Sequence, residues 1–204
     1  MTDNESADSP GELLICRHGE TDWSRTGRHT GSTDVPLTTE GETEARALAS
    51  LLAARADRIR QVLVSPRQRA RETARLAGVT VPTVTEDLSE WDYGRYEGLT
   101  TDEIRRDRPG WTIWTGNPPG GETADDVSAR ADRLLRGIRD SLATGDVLVI
   151  GHGHFGRVLA ARYLGLHACA GALLRLDPAT ICVLGTEHES PTIVQWNLPG
   201  RRTR

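Results

Sequence analysis

The sequence predicts an α/β fold: a three-layer sandwich in which helices flank a mostly parallel mixed sheet, with a short excursion over the candidate site. Two observations predict it. Short apolar runs alternate along the chain with segments whose apolar residues recur at helical spacing. Two of those runs end abruptly in histidine. Such alternation is typical of a parallel sheet, which binds ligands at the carboxyl ends of its strands.

The length of 204 residues is sufficient for one core, and we expect a single domain over residues 11–204. Residues 1–10, MTDNESADSP, are polar and acidic and are predicted to be a disordered tail. They lack the basic and apolar regions of a signal peptide, and no apolar run approaches the roughly 20 residues that span a bilayer. We therefore expect a cytoplasmic protein without a membrane partner.

Local patterns predict the elements of the first half. Residues 12–17 form an apolar run ending in Arg-His-Gly, which indicates a buried strand. Thr39, with Glu42 three residues later, resembles a capping box at the start of a helix that continues to about Leu52. Residues 61–65 predict a second strand. Pro66 is expected to be the first residue of the next helix, over residues 66–77.

Residues 88–123 differ in composition, since they hold three of the five tryptophans and the turn-forming run GNPPGGE. We expect this excursion to cover one end of the sheet. Trp111 and Trp114 are interpreted as packing residues that also border the substrate mouth. Trp91 is expected to shield a neighbouring acid from water.

The second half repeats the alternation. Residues 127–142 carry an apolar face at helical spacing, with Arg and Asp opposite. Residues 146–153 repeat the design of the first strand, an apolar run ending in Gly-His-Gly. The remaining elements are a helix over 154–164 and strands near 172–176, 180–185 and 192–196.

Composition excludes several classes of function. The 25 basic residues against 29 acidic ones argue against a protein that binds nucleic acid or an anionic membrane. All the basic residues are arginine, so no lysine is available for a P-loop or a Schiff base. Cys16, Cys169 and Cys182 show no CxxC or zinc-ligand spacing and are expected to be reduced thiols.

The segment Arg17-His18-Gly19 carries chemical information. A histidine at a strand end can act as a base, a metal ligand or a nucleophile. The adjacent Arg17 disfavours a divalent metal and favours an anion such as phosphate, which a guanidinium binds through two parallel hydrogen bonds. Gly19 lets the backbone pass close to a bound group.

Four segments follow one another from Leu13 onward: LLICRHGETDWSRTGRHTGSTDVPLTTEG, SPRQRARETA, LSEWDYGRYEGLT and VLVIGHGHFGR. Together they resemble the histidine phosphatase superfamily, the phosphoglycerate mutase-like proteins. WDYGRYEGLT followed by WTIWTGNPPGGET is similar to the branch that contains broad-specificity acid phosphatases and sedoheptulose-1,7-bisphosphatases.

The resemblance implies five catalytic residues. His18 resembles the nucleophile that becomes phosphohistidine, with its other ring nitrogen donating to a backbone carbonyl. Arg17, Arg69 and His152 resemble the pocket that stabilises the transferring phosphoryl group. Glu90 resembles the general acid for the leaving alkoxide and then the general base for water. Because the protein supplies the cations, neither a metal nor another cofactor is implied.

Six further residues are predicted to bind substrate around this pocket: Ser24, Thr30, Gly31, Tyr93, Gly153 and His154. For His154, a donor facing substrate is favoured over a metal ligand because no third ligand is in view. Arg67 is left as a supporting or surface cation, and Glu97 is expected to hold its loop together. His29, His167 and His188 show no partners and are interpreted as surface histidines.

The resemblance implies a metal-independent phosphomonoesterase that acts on a small phosphorylated metabolite, a sugar phosphate or a phosphorylated acid. The alternative is a cofactor-dependent phosphoglycerate mutase, which shares every catalytic residue. It is disfavoured because residues 102–122 are short and the pair Arg105-Arg106 is expected on an amphipathic helix. A non-catalytic phosphate-binding regulatory module is least favoured, because the catalytic set is complete. A homodimer is left open.

Overall fold

The computed structural model describes residues 11–200, so the predicted disordered tail, residues 1–10, lies outside the described residues. The strands within this range are β1 (Leu13–Arg17), β2 (Ile59–Val64), β3 (Thr83–Val84), β4 (Asp146–Gly151), β5 (Thr180–Glu187) and β6 (Ser190–Pro199). Across residues 11–200 they form one sheet in the order β3-β2-β4-β1-β5-β6.

The centre of the sheet is parallel and its far side is antiparallel. Strand β4 pairs in parallel with both β1 and β2, and β2 pairs in parallel with β3. Strand β5 runs antiparallel to β1, and β6 runs antiparallel to β5. In the β1–β4 ladder Arg17 lies opposite Gly151, so both strands end at the same edge. This confirms the mostly parallel mixed sheet.

Helices cover both faces of the sheet. Their bounds are α1 (Asp22–Arg25), α2 (Thr39–Ala47), α3 (Ala49–Ala53), α4 (Gln68–Leu76), α5 (Thr101–Asp107), α6 (Ala124–Gly137), α7 (Arg139–Leu142) and α8 (Gly153–Tyr163). Successive side chains of β1 enter different cores: Leu13 and Ile15 pack with α6, α8 and the excursion, whereas Leu14 and Cys16 pack with α3 and α4. Two apolar cores around one sheet confirm the three-layer sandwich.

The excursion packs on the core that contains α6 and α8. Trp91, Trp111 and Trp114 are all buried in it. The rings of Trp91 and Trp114 meet edge to face with centroids 5.8 Å apart, an arrangement that aromatic pairs prefer. The tryptophans therefore pack this segment against that core, and none of them lines the cavity at the carboxyl edge of the sheet.

Two predicted helix starts are wrong. Helix α2 is capped by Thr38, whose hydroxyl accepts the Gly41 N–H, and not by a box of Thr39 and Glu42. Helix α4 begins at Gln68, after an extended Arg67, and not at Pro66. The side chain of Asp34, from a distant loop, accepts the Gln68 N–H at 2.7 Å. Such a long-range cap leaves no local pattern in the sequence.

Other differences also have physical causes. The strand predicted near 172–176 is absent within residues 11–200, because the chain forms a 3₁₀ turn at Ala168–Leu173. The Arg157 side chain takes the carbonyl oxygens of Gly171 and Ala172, which a ladder would need. The helix predicted over 127–142 is divided at Ile138, next to Gly137, a poor helix former. Strand β3 has two residues, too few for a pattern.

Across the described range, 11–200, every helix is too short or too polar to cross a bilayer.

Candidate active site

The candidate site lies where β1 and β4 end. Arg17 is the last residue of β1, and His18 and His152 directly follow the two strands. The His18 N–H donates to the Gly151 carbonyl at 2.9 Å, which continues the ladder by one step. The two imidazole rings consequently meet edge to face, with centroids 5.3 Å apart. The sheet thus brings together two histidines that are 134 positions apart in the sequence.

The His18 ring is held in one tautomer. Its Nδ1 lies 2.7 Å from the carbonyl oxygen of Gly19, which accepts a hydrogen bond from it. Burial, followed by the charges of Arg69 and Arg17, lowers the pKa of His18 well below its usual value. The ring is therefore neutral, with its proton on Nδ1, and Nε2 carries a lone pair. That nitrogen has no hydrogen-bond partner among residues 11–200.

Arg17 keeps most of its donors uncommitted. Its Nη1 donates to the Leu176 carbonyl oxygen at 2.6 Å, and the buried Nε has no partner among the described residues. A side chain at Gly153 would press against this guanidinium, because a Cβ there would lie 3.3 Å from the Arg17 Cζ. Gly153 thus leaves the space that the Arg17 fork occupies beside His18.

Arg69 is fully buried and most of its donors are committed to the protein. Nε donates to His152 Nδ1 at 3.2 Å. The two Nη atoms donate to the carbonyl oxygens of Thr33, Thr30 and Gly31 at 2.9, 2.9 and 3.1 Å. A guanidinium has five N–H groups, so one remains for a ligand. Arg69 therefore supplies positive charge and holds His152 in place. Arg17 has more free N–H groups and is better suited to bind two phosphate oxygens at once.

Glu97 holds the loop that clamps Arg69. Its carboxylate accepts the N–H groups of Gly31 and Thr33 at distances of 2.9 to 3.0 Å. With those N–H groups bound, the carbonyls of the same loop face Arg69. The structure thus places Glu97 where the sequence expectation puts it, in support of the loop.

The Glu90 side chain is buried at the start of α8. Its Oε1 accepts the N–H groups of Trp91 and Phe155 at 2.8 and 2.7 Å, and Oε2 accepts the His154 N–H at 3.0 Å. A carboxyl oxygen has two acceptor positions, so Oε2 is the oxygen with spare capacity. Trp91, the next residue along the chain, is also buried.

Two further imidazoles line the site. The Tyr93 hydroxyl lies 2.6 Å from Nδ1 of His154. His29 stacks on Tyr93 with centroids 4.7 Å apart and is buried, so its interpretation as a surface histidine is wrong. Burial lowers the pKa of His29 to about 4 and that of His154 well below its usual value. Both rings are therefore neutral near pH 7. By contrast, His167 and His188 are exposed, as expected.

A small cavity of about 160 Å³ opens at this edge of the sheet. The predicted site residues that line it are Arg17, His18, Ser24, Thr30, Glu90, Tyr93, Gly153 and His154. Arg69 and His152 do not line the cavity: the His152 ring meets the His18 ring, and Arg69 hydrogen bonds to His152. Gly31 lies instead on a second cavity, behind Glu90, which Arg67 also lines. Arg67 Nε is enclosed without a partner among the described residues.

Two of the residues predicted to bind substrate, Ser24 and Thr30, also hydrogen bond to the nearby backbone. The Ser24 hydroxyl accepts the Thr21 N–H at 2.9 Å and donates to the Thr21 carbonyl, which closes a capping box on α1. The Thr30 hydroxyl donates to the Arg28 carbonyl at 3.0 Å. Both hydroxyls are therefore partly committed to the backbone.

Arg157 is the main residue that sequence reasoning missed. It lines the cavity, its guanidinium lies 4.5 Å from the centroid of the Trp114 ring, and two backbone carbonyls hold it. The signal was present, because Arg157 follows His154 by three positions in VLVIGHGHFGR and shares its helix face. Among residues 11–200, no three His, Cys, Asp or Glu side chains are grouped to hold a metal ion.

Comparison with known proteins agrees with this geometry. A model described as histidine phosphatase superfamily (branch 1) matches residues 13–199. The chain is 44% identical over 188 residues to an acid phosphatase of Mycobacterium tuberculosis, covering 92% of this chain and 93% of that protein. It is 35% identical over 184 residues to sedoheptulose 1,7-bisphosphatase of Saccharomyces cerevisiae, covering 75% and 67%.

Solved structures agree with the sequence comparison. A protein encoded by an open reading frame of Mycobacterium tuberculosis superposes with a TM-score of 0.90 at 41% identity. The match covers 94% of this chain and 99% of that one. The family match and these likenesses extend over nearly all of the described residues. The chain therefore belongs to the histidine phosphatase superfamily, the family that its four sequence segments resemble.

Proposed function

We propose that this phosphatase hydrolyses monoesters of small phosphorylated metabolites through a phosphohistidine on His18, without a metal ion. The observation that carries the proposal is the hydrogen bond from His18 Nδ1 to the Gly19 carbonyl at 2.7 Å. It leaves the lone pair of Nε2 facing the cavity. A neutral imidazole in a fixed orientation is the state that a nucleophilic histidine requires.

In the first step the bond from His18 Nε2 to phosphorus forms while the bond from phosphorus to the ester oxygen breaks. Glu90 gives its proton to the leaving alkoxide, from Oε2, the oxygen with spare capacity. In the second step water attacks phosphorus, Glu90 takes a proton from that water, and the nitrogen–phosphorus bond breaks. Glu90 thus ends each cycle as it began, and inorganic phosphate is released.

The phosphoryl oxygens would be stabilised mainly by Arg17. Its Nε and Nη2 donors are uncommitted and lie beside His18, so they can bind two oxygens at once. The charge of Arg69 and the ring of His152 complete the pocket. This arrangement supplies positioning and electrostatic stabilisation, which account for most catalysis of phosphoryl transfer.

The rest of the cavity favours a small polar leaving group. Arg157 offers a cation, and the neutral rings of His29 and His154 offer hydrogen-bonding groups to hydroxyls. The name of one relative, a bisphosphatase of the sugar sedoheptulose, supports the same substrate class. We therefore place a sugar phosphate or a phosphorylated acid in this cavity.

The phosphoglycerate mutase alternative requires that a bisphosphate be retained and that water be excluded. It remains disfavoured because α5 begins directly after the acid segment and the excursion is short. Arg105 of the pair Arg105-Arg106 donates to the Trp111 carbonyl at 2.9 Å, so its side chain is committed within the excursion. A non-catalytic module would need neither a His18 whose Nε2 is free of hydrogen bonds nor the buried carboxyl group of Glu90.

The test is phosphate release in the presence of EDTA by the wild type, His18→Ala and the exposed-histidine control His167→Ala. The panel contains p-nitrophenyl phosphate, 3-phosphoglycerate and several sugar mono- and bisphosphates. We expect release by the wild type and the control only. Release by His18→Ala at the wild-type rate would refute the proposal. Isomerisation of 3-phosphoglycerate that depends on added bisphosphoglycerate, without phosphate release, would favour the mutase.

A further inference from the structure

Ser65 lies next to the catalytic residues without a role in the mechanism above. It directly follows β2, is fully buried, and its N–H donates to the Ile150 carbonyl at 3.0 Å. The backbone ladder of the sheet therefore fixes its position. Its hydroxyl oxygen lies 2.7 Å from Nε2 of His152.

The direction of that hydrogen bond follows from counting protons. The Arg69 guanidinium is always protonated, and its Nε donates to His152 Nδ1 at 3.2 Å. Nδ1 must therefore carry a lone pair. Burial, then the charges of Arg69, His18, Arg17 and Arg67, lowers the pKa of His152 well below its usual value, so the ring is neutral.

A neutral ring has a single N–H, and here it is on Nε2. Nε2 consequently donates to the Ser65 hydroxyl oxygen. The Arg67 N–H also approaches that oxygen, at 3.4 Å, and a hydroxyl can accept from both because it has two lone pairs. In the resting site His152 thus directs a lone pair, and not an N–H, toward Arg69.

Binding of a phosphoryl group would change the protonation of His152. Its oxygens are acceptors and would repel the lone pair on Nδ1. A phosphate monoester titrates near pH 6, so its monoanion carries a P–OH proton that it can give to Nδ1. The Arg69 N–H would then move from Nδ1 to a phosphoryl oxygen, and the ring would become an imidazolium that donates from both nitrogens.

We infer that Ser65 is a positioning residue that acts through His152. By accepting a hydrogen bond from the Nε2–H in both states, it holds Nδ1 toward the phosphoryl group and allows that nitrogen to gain a proton when the group binds. The inference rests on the proposed function. One proton passes from the P–OH group to Nδ1 on binding and returns to phosphate on release, and no other bond is made or broken.

The direct test is nitrogen NMR of the folded protein with ¹⁵N-labelled histidine, recorded with and without inorganic phosphate. In the free wild type we expect His152 to show a protonated Nε2 and an unprotonated Nδ1. With saturating phosphate we expect both nitrogens to be protonated. An unchanged single-proton ring in the phosphate complex would overturn the inference.

The variant is Ser65→Ala, which removes the acceptor with little change in volume. Because a hydrogen bond to a charged group is lost, we expect phosphate to bind about 10-fold more weakly or worse, with His152 keeping a single proton. Ser65→Thr, which retains the hydroxyl, is expected to restore both properties. Ser89→Ala is the matched control, since the Ser89 hydroxyl pairs with the exposed Glu86.

The outcomes separate this inference from the proposed function. If the wild type releases phosphate through His18 but Ser65→Ala protonates both nitrogens and binds phosphate as the wild type does, only the role of Ser65 is refuted. If His18→Ala is as active as the wild type, the proposed function fails, whatever His152 shows. A Ser65→Thr variant that folds but behaves like Ser65→Ala would also refute the hydroxyl's role.

Discussion

The hydroxyl of Tyr93 lies 2.6 Å from Nδ1 of His154, at the wall of the cavity. This distance is short for an N–H···O bond and typical of one in which a hydroxyl donates. Burial raises the pKa of Tyr93 well above its usual value, so the phenol keeps its proton. We expect Tyr93 to donate to His154, which places the His154 proton on Nε2 and offers substrate a neutral N–H donor at the cavity wall.

Removing the Tyr93 hydroxyl should affect substrate binding more than the chemical step. We expect Tyr93→Phe to raise KM for a sugar phosphate about 10-fold, because His154 is freed to adopt the other tautomer. The kcat for p-nitrophenyl phosphate, which has no hydroxyls to bind, should stay within about twofold. Tyr163→Phe, at the far end of α8, is the matched control. An equal loss of kcat on both substrates would contradict this role.

Replacing Arg17 by lysine keeps a charge but removes the planar fork. We expect Arg17→Lys to lower kcat/KM about 10²- to 10³-fold, which is the usual cost of losing one preorganised donor to a developing charge. The measurement is steady-state kinetics on p-nitrophenyl phosphate. Arg71→Lys, on an exposed position of α4, should have nearly wild-type activity. A mild effect of Arg17→Lys would mean that Arg69 binds the phosphoryl group instead.

Arg157 should favour substrates that carry a second anionic group. It lines the cavity and is held by backbone carbonyls and the Trp114 ring, so its remaining N–H groups are available to a second anionic group. We expect Arg157→Gln to raise KM for sugar bisphosphates about 10-fold or more, with a smaller effect on monophosphates. The two sets of KM values are measured on one preparation. Equal increases for both sets would argue against selection by this residue.

The buried histidines should make the fold sensitive to acid. The folded-state pKa of His29 is lowered by burial to about 4 from an ordinary value of 6.5, so the unfolded chain takes up the proton first as pH falls. Its contribution is therefore fully present above pH 6.5 and is lost as pH falls through about 4. The loss amounts to about 3 kcal/mol.

This contribution is measured by urea unfolding at several pH values. His29→Gln, which does not titrate, should reduce the slope of unfolding free energy against pH between 6.5 and 4, and the other buried histidines account for the slope that remains. The exposed histidine variant His188→Gln should leave the curve unchanged. Identical slopes for His29→Gln and the wild type would show that His29 is protonated in the folded chain.

Asp146 should be a stability determinant remote from the site. It begins β4 at the edge opposite to His152, is fully buried, and pairs with Arg55 and Arg58 at 3.3 and 3.1 Å. Because Asp146→Ala removes a fully buried carboxylate that accepts from the Glu12 N–H, Arg55 and Arg58, we expect a loss of about 1–3 kcal/mol in unfolding free energy. Activity per folded molecule should be retained. Glu72→Ala, which breaks an exposed pair with Arg75, should change stability little.

Sequence patterns predicted the elements that the central sheet requires. β1 and β4 are buried on both faces, so their side chains are continuously apolar and the polar residues after them are conspicuous. The resemblance then supplied roles for His18, Arg17, Arg69, Glu90 and His152, and the structure places these residues around one edge. Their roles remain predictions until the variants are measured.

The structural features that the sequence did not predict depend on contacts between segments that are distant along the chain. The start of α4 is set by Asp34, and the stretch after α8 is irregular because Arg157 takes its carbonyls. The burial of His29 comes from Tyr93 and Trp111, which lie more than sixty positions away. The commitment of Arg69 to loop carbonyls likewise has no counterpart in local spacing.

The register of β1 against β4, with Arg17 opposite Gly151, has a consequence for how such enzymes diverge. The distance between the two histidines depends on interstrand hydrogen bonds and not on the loops that border the cavity. Insertions or deletions in the segment 24–30, which lines the cavity, can therefore reshape the leaving-group pocket while the reacting groups stay at the same separation. New substrate preferences can then arise by changes in loop length alone, without a new catalytic arrangement having to evolve each time.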